Sequence, residues 1–569
     1  KRVVLLIILM LLAAVASMML PTLLANMIDV GVADNSVNAI VAIAIVMAVL
    51  SILGCVFNIL ATVLSAKVST KFAADLRREI FASVQEFSAA EMDKFGTASL
   101  VTRSTSDVMN VQLFLSLLLR LGVTAPLMAV AGLVLSSLTG GELSSVLTVA
   151  IPALIIGAGV IVIFVSRYSV ALRTRIDRLN KLFLETLEGA RVIRAFNRQD
   201  REMGRFDEAN EDLASVSIRS GRVSSLLVPV IQVIFGVTTA AVMGMGSWYV
   251  STGEMDVGAL VANSQYISMI LAAIMMLALV IMLFPMSYAC AKRIAEVLNT
   301  ESSVKGGTYT AQQGTERASV VFDHVTFSYP GADEPVLQDI SFESHSGEMT
   351  AIIGRTGCGK SSVLKLVPRL YDTVVGHVYV DGIDVKKYKL EELRSLIGYI
   401  PQKNVLFSGD VASNLSFGDE ESTEEDWRRA AHMACADEFI EQKPGEYHAD
   451  IAQGGTNLSG GQRQRMAIAR AVVRQPEVYL FDDSFSALDM KTDRTLRERL
   501  RESIGDATMI VVAQRVSSII DADRILVMED GKLVGSGTHY ELLQSCQLYR
   551  EIAELQLGEE EVANEIARH

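Results

Sequence analysis

Three stretches of this chain contain no lysine or arginine at all: residues 3–66, 121–166 and 223–291. The chain carries 51 basic residues in 569, so gaps of 64, 46 and 69 positions mean that charge has been kept out of them. A membrane-crossing helix needs about 20 apolar residues at 1.5 Å rise each, so each stretch holds two crossings and a turn. Six membrane helices are therefore expected. Turn-forming residues and acids gather near the midpoints, at 29–38, 139–144 and 251–256, which are read as outer loops. The intervening segments, 67–120 and 167–222, are rich in basic residues and are assigned to the cytoplasmic side. Apolar Leu182, Phe183 and Leu187 alternate at helical spacing with Arg178, Lys181 and Glu185, so the membrane helices are expected to continue into the cytosol.

The remainder is a different kind of protein. Mean hydropathy is +0.34 although 20% of residues are charged, which requires apolar and charged residues to be segregated along the chain. The net charge of −14 and the absence of a concentrated basic stripe argue against nucleic acid as a partner. Cys55, Cys290, Cys358, Cys435 and Cys546 show no metal-ligand spacing, so neither a zinc site nor a disulfide framework is expected. No cleavable leader is expected either, because the first apolar run leads straight into further apolar segments. Composition changes after Arg293. The chain divides into a membrane domain (1–300), a polar, Gly-containing linker (301–317), an α/β nucleotide-binding domain (318–557) and an acidic tail (558–569). Short β-rich runs such as 319–322 and 377–380 alternate there with helical patterns such as 423–436.

The strongest local signal is Gly354-Arg355-Thr356-Gly357-Cys358-Gly359-Lys360-Ser361, between the apolar run 351–353 and the helical pattern that starts at Ser362. This strand-loop-helix setting is that of a phosphate-binding loop. Glycines let backbone amides curl around phosphates, Lys360 brings a charge to the outer phosphates, and the Ser361 hydroxyl is a ligand for Mg²⁺. A second apolar strand, 478–481, ends in Asp482, a carboxylate suited to the Mg²⁺ shell. Between them lies Leu458-Ser459-Gly460-Gly461-Gln462, about 100 residues past the phosphate loop and about 20 before Asp482.

These motifs closely resemble those of ATP-binding cassette (ABC) ATPases, and six helices ahead of such a domain resemble one half of an ABC exporter. The resemblance implies ATP and Mg²⁺ as cofactors, with Ser361, Gln402 and Asp482 around the metal. It also implies that Tyr329 stacks on adenine, that 458–462 is the signature segment facing a partner's ATP, and that Asp489 belongs to the D-loop. Segments 95–107 and 192–206 resemble the cytoplasmic coupling loops.

Two departures bear on mechanism. Where the family usually has the catalytic glutamate, this chain has Asp483, one methylene shorter; where it usually has a histidine, this chain has Gln514. A base set back by about an ångström is expected to slow in-line attack by orders of magnitude. Gln453 also stands where many relatives carry glutamate. Because such domains pair head to tail, the resemblance implies a heterodimer in which a second half-transporter supplies the glutamate and histidine. The alternatives are a slow homodimer or a regulatory subunit without a hydrolytic role. A soluble ABC ATPase is excluded by the apolar stretches, and an importer is disfavoured because importers usually separate the two domains onto different chains.

For the cargo, Asn263, Ser264, Gln265 and Tyr266 are candidates to line a translocation path, since polar groups in lipid favour a cavity. Helix-to-helix hydrogen bonding is the equal alternative. Met269, Met275, Met276, Met282 and Met286 suit an adaptable apolar surface, or simply core and lipid contact. With no Lys or Arg inside the apolar stretches, a neutral or cationic small amphiphile is expected as cargo, carried across the cell membrane.

Overall fold

The computed structural model describes residues 1–32, 36–140, 143, 145–310 and 317–568. Parts of the expected outer loops at 29–38 and 139–144, of the linker, and the last residue of the tail lie outside the described residues. The chain forms two compact units, one of residues 1–83 and 98–300, the other of 84–97 and 301–569.

The first unit is helical: α1 (Arg2–Asn26), α2 (Val37–Glu86), α3 (Ala89–Phe95), α4 (Thr97–Thr102), α5 (Val108–Gly140), α6 (Ser145–Glu188), α7 (Ala190–Ala195), α8 (Gln199–Ser225), α9 (Leu227–Ser251) and α10 (Val257–Leu298), of which α3 belongs to the other unit. Among the described residues six helical segments are long and apolar enough to cross a membrane. At 50 residues α2 is about 75 Å long, more than twice the hydrocarbon thickness, so it extends well past the bilayer. Side chains from α10 tie the bundle together. Tyr266 Oη lies 2.5 Å from Thr22 Oγ1 and 3.3 Å from the Met18 carbonyl of α1, and Asn263 Oδ1 accepts from the Ser136 hydroxyl of α5. Nearer the bundle's charged end, the Arg293 guanidinium grips Asp107 through two hydrogen bonds of 2.8 and 2.5 Å.

The second unit is α/β. A six-stranded sheet runs in the order Lys532–Gly537, Arg524–Glu529, Met349–Gly354, Thr508–Val512, Val478–Asp482 and Ile397–Ile400. It is parallel except for its Lys532–Gly537 edge. Its central strands are apolar on both faces, as a parallel sheet covered by helices demands. A four-stranded antiparallel sheet, built on Val320–Phe327, packs Phe322, Phe327 and Phe342 into one core with Ile352, Leu480 and Ile510 of the larger sheet. Residues 84–97 pack with this unit. Ser88 caps α3 through a capping box with Glu91, Gly96 turns the chain at φ 71°, and Tyr371 Oη donates to Asp93 Oδ2 at 2.6 Å. The first loop segment that joins the nucleotide-binding unit is therefore 84–97. Of the segment 95–107, residues 95–97 belong to this unit and 98–107 to the first.

Candidate nucleotide site

The parallel sheet places the ends of four strands side by side. Val512 pairs with both Ile352 and Asp482, so the phosphate loop after Gly354, the acids at 482–483 and Gln514 emerge from neighbouring carboxyl ends. Gln402 follows the adjoining strand Ile397–Ile400. Crevices of ligand-binding α/β sheets form at such ends. Here they enclose a cavity of about 400 Å³, a size that suits a small ligand.

Within the loop, Gly359 has φ 100°, and a Cβ there would come within 2.7 Å of Leu337. Only glycine lets the chain turn so tightly into the helix Lys360–Leu366. Lys360 Nζ, buried, donates to the carbonyls of Gly354 and Arg355, each at 2.8 Å. Ser361 Oγ donates to Asp482 Oδ1 at 2.6 Å, which juxtaposes a hydroxyl and a carboxylate of the kind Mg²⁺ selects. Burial raises the Asp482 carboxyl above its ordinary range, with the Ser361 hydrogen bond opposing it.

Asp483 is the most constrained residue of the cavity. It has φ 51°, in the left-handed region that non-glycine residues seldom occupy. Its Oδ2 accepts from Gln514 Nε2 at 2.8 Å and from Gln402 Nε2 at 3.3 Å. Its backbone carbonyl accepts from Ser486 Oγ at 3.0 Å and Gln464 Nε2 at 3.4 Å. Burial pushes its carboxyl upward, with the Gln402 hydrogen bond opposing. The Gln514 carbonyl is itself held by Gln556 Nε2 at 2.8 Å.

Tyr329, Thr356, Gly357, Gly359, Lys360, Ser361, Ser362, Gln402, Asp482, Asp483 and Gln514 all line the cavity. Arg355 and Cys358 do not. Arg355 is exposed and reaches toward Glu529 and Glu551 at 3.8 and 4.0 Å, while Cys358 is buried. Tyr329 bonds Ser362 at 2.9 Å and stands edge-on to Tyr371, with ring centroids 5.2 Å apart. Val336 and Val512 also line the cavity, and no sequence signal distinguished these apolar residues from ordinary strand positions. Leu458 to Gln462 lie outside it. Ser459 caps the helix Gly460–Val473 in a capping box with Gln462, and Ser459 and Gly460 are exposed. Asp489 is exposed too, capping Met490–Ile504 through Thr492. His539 is buried against Tyr549 Oη at 2.7 Å, as suits a structural residue. Of the path candidates, Asn263 and Tyr266 are fully buried in the helix contacts described above, whereas Gln265 is exposed.

The similarities to known proteins agree with this architecture. Residues 3–274 match the ABC transporter transmembrane region and residues 337–486 match the ABC transporter family. An ABC transporter ATP-binding protein of Mycobacterium tuberculosis is 40% identical over 97% of this chain and 95% of its own length. The Bacillus subtilis ABC transporter ATP-binding protein YfiB is 36% identical over 95% and 94%. A multidrug efflux ATP-binding/permease protein of M. tuberculosis is 32% identical over 84% of this chain, which spans 40% of that longer protein. Among solved structures, a bacterial Atm1-family ABC exporter with ATP bound superposes with a TM-score of 0.82 at 26% identity, over 97% of both chains. With six apolar helices, an α/β unit whose cavity gathers the phosphate-loop residues, and these relatives, the chain belongs to the ABC transporter family, as a multi-pass membrane exporter with a cytoplasmic nucleotide-binding domain and ATPase-coupled transport.

Proposed function

We propose that this chain is the degenerate-site subunit of a heterodimeric exporter, one that moves amphiphilic small molecules out of the cytoplasm or inner leaflet by alternating access. The observation that carries this is the state of Asp483. Its carboxylate is one methylene short and already accepts from two side-chain amides, Gln514 and Gln402. A general base must reach the proton it takes, within about 3 Å. A short acid tethered sideways by neutral amides, one of them in place of a histidine, is poorly set to do so. Binding is another matter, because Lys360, Ser361, Asp482 and Tyr329 keep the chemistry for triphosphate, metal and adenine.

Mg²⁺ would be held by Ser361 and Asp482, with Gln402 nearby, and would neutralise charge on the outer phosphates. The exposed Ser459 and Gly460 at the start of their helix are free to meet nucleotide on a second subunit whose glutamate and histidine are intact. The multidrug efflux relative supports a drug- or lipid-like cargo.

The test is ATP turnover by the purified chain, alone and mixed with a second half-transporter encoded beside it. Slow turnover alone and at least tenfold faster turnover together are expected. Robust turnover by the chain alone would refute the reading. Substrate flux should also stop when the partner's glutamate is replaced, and continued pumping would leave only a regulatory role for ATP hydrolysis there.

A further inference from the structure

In sequence, Arg120 merely borders an apolar stretch. The fold moves it somewhere more informative. Ser65 Oγ of α2 donates to the Ser116 carbonyl of α5 at 3.2 Å, and Gln112 Nε2 of α5 donates to Thr70 Oγ1 of α2 at 3.3 Å. This antiparallel register sets Arg120 opposite Thr62, and Lys67 opposite a residue near 114. Arg120 therefore lies about 7.5 Å further into the apolar region than Lys67. There it lines a cavity of about 350 Å³ between α1, α2 and α5, into which Met276 of α10 also projects. Among the described residues no carboxylate or other acceptor pairs with its guanidinium.

The rest of the lining is graded. Asn58, Thr62 and Thr124 surround the level of Arg120, with Ser17 beyond, and Met10, Met128 and Met276 give the remainder an apolar, deformable wall. A second cavity of about 370 Å³ shares Ser17 and Asn58 with the first and continues between α1 and α2 past Ala16, Ser51 and Gly54. The small residues keep this extension open: a Cβ on Gly54 would approach the Ala16 methyl to 3.3 Å. The result is a narrow groove with an unpaired cation at one end.

Arg120 is exposed at the mouth of this cavity, just before the apolar stretch 121–140, and a cation that faces a cavity without a side-chain partner is available to a ligand. We infer that the groove binds an amphiphile with an anionic phosphate- or carboxylate-type head and a single hydrocarbon chain, the head on Arg120 and the chain along α1 and α2. This rests on the exporter reading above and narrows its cargo, replacing the neutral or cationic expectation. A guanidinium suits such heads because it offers planar, paired donors to two oxygens.

The test is equilibrium binding to the full chain in phosphatidylcholine nanodiscs, corrected with empty discs, using radiolabelled dodecyl phosphate, hexyl phosphate, dodecyltrimethylammonium and inorganic phosphate. Dodecyl phosphate is expected to bind at least tenfold more tightly than dodecyltrimethylammonium. Arg120→Gln should erase that preference, and Arg120→Lys should keep most of it. Gly54→Leu should weaken dodecyl phosphate while sparing hexyl phosphate. Equal binding of the two dodecyl probes, a preference that survives Arg120→Gln, or Arg120-dependent saturable binding of inorganic phosphate alone would overturn the proposal. Binding is read without ATP or a partner chain, so a failure of export would leave these results standing, and the reverse.

Discussion

Gln514 Nε2 donates to Asp483 Oδ2 across 2.8 Å, joining two residues that lie 31 positions apart at the ends of adjacent parallel strands. Each is the other's hydrogen-bond partner. The two side chains form one local arrangement in which a neutral amide donates to a carboxylate. Gln402 completes the clamp from the next strand.

Restoring both groups should restore catalysis. Asp483→Glu with Gln514→His is expected to raise phosphate release by the purified chain about 10²-fold, in keeping with what a positioned base contributes. Asp483→Glu alone should give less, because Gln514 would still hold the carboxylate. Asp483→Asn should change the slow rate little. A large loss with Asp483→Asn would show that the short acid is already a working base.

Tyr371 links the Tyr329 side of the cavity to the loop at 84–97. Its ring stands edge-on to Tyr329 and its hydroxyl donates to Asp93 at 2.6 Å. Tyr371→Phe keeps the ring and removes one hydrogen bond to a carboxylate, worth about 1.5–3 kcal/mol in general. ATP affinity is expected to stay within about twofold, since aromatic contact area is unchanged. Stimulation of the assembled transporter's ATPase by cargo should fall several-fold. Equal stimulation in wild type and variant would separate this hydrogen bond from coupling.

Asp381 gives a pH dependence with a defined sign. Burial, and after it the neighbouring Glu477 carboxylate, raise its carboxyl to about 6, while the Ser319 amide, 3.2 Å away, opposes the rise. The folded state thus holds a proton that the unfolded chain releases near pH 3.8. Stability is fully present below that lower value, declines as pH rises toward about 6, and is flat above it. Asp381→Asn keeps an acceptor for Ser319 and suits the positive φ of 52° at this position. The variant's melting temperature should exceed the wild type's at pH 7.5, and the difference should vanish near pH 4. A constant difference across that range would assign the effect to backbone conformation alone.

Tyr266 and Asn263 distinguish glue from path. Tyr266→Phe removes the bonds to Thr22 and Met18 and should cost about 0.6–2 kcal/mol of bundle stability, in the range measured for such hydrogen bonds in lipid. The ranking of cargoes by ATPase stimulation should be unchanged. A reordered ranking at full stability would return Tyr266 to the translocation path.

The six crossings were legible because excluding charge from 20-residue segments is a local property of the sequence. So was the phosphate loop, since glycines, lysine and serine at fixed spacing between a strand and a helix carry their geometry within eight residues. Even the cap on α3 was written locally, as Ser88 followed by Glu91.

What the sequence by itself determined, then, is which segments are apolar enough to cross a membrane and which strand ends bear the phosphate loop and the carboxylates at 482–483. Only the tertiary structure decided that Gln514 and Asp483 bond to each other, that Asn263 and Tyr266 turn into helix contacts, and that Arg120 opens into a groove with Asn58 and Thr62. The division has a physical basis. Backbone conformation and burial follow from spacings of one to four residues, whereas side-chain partners depend on the register between strands and helices far apart in the chain, which packing alone fixes.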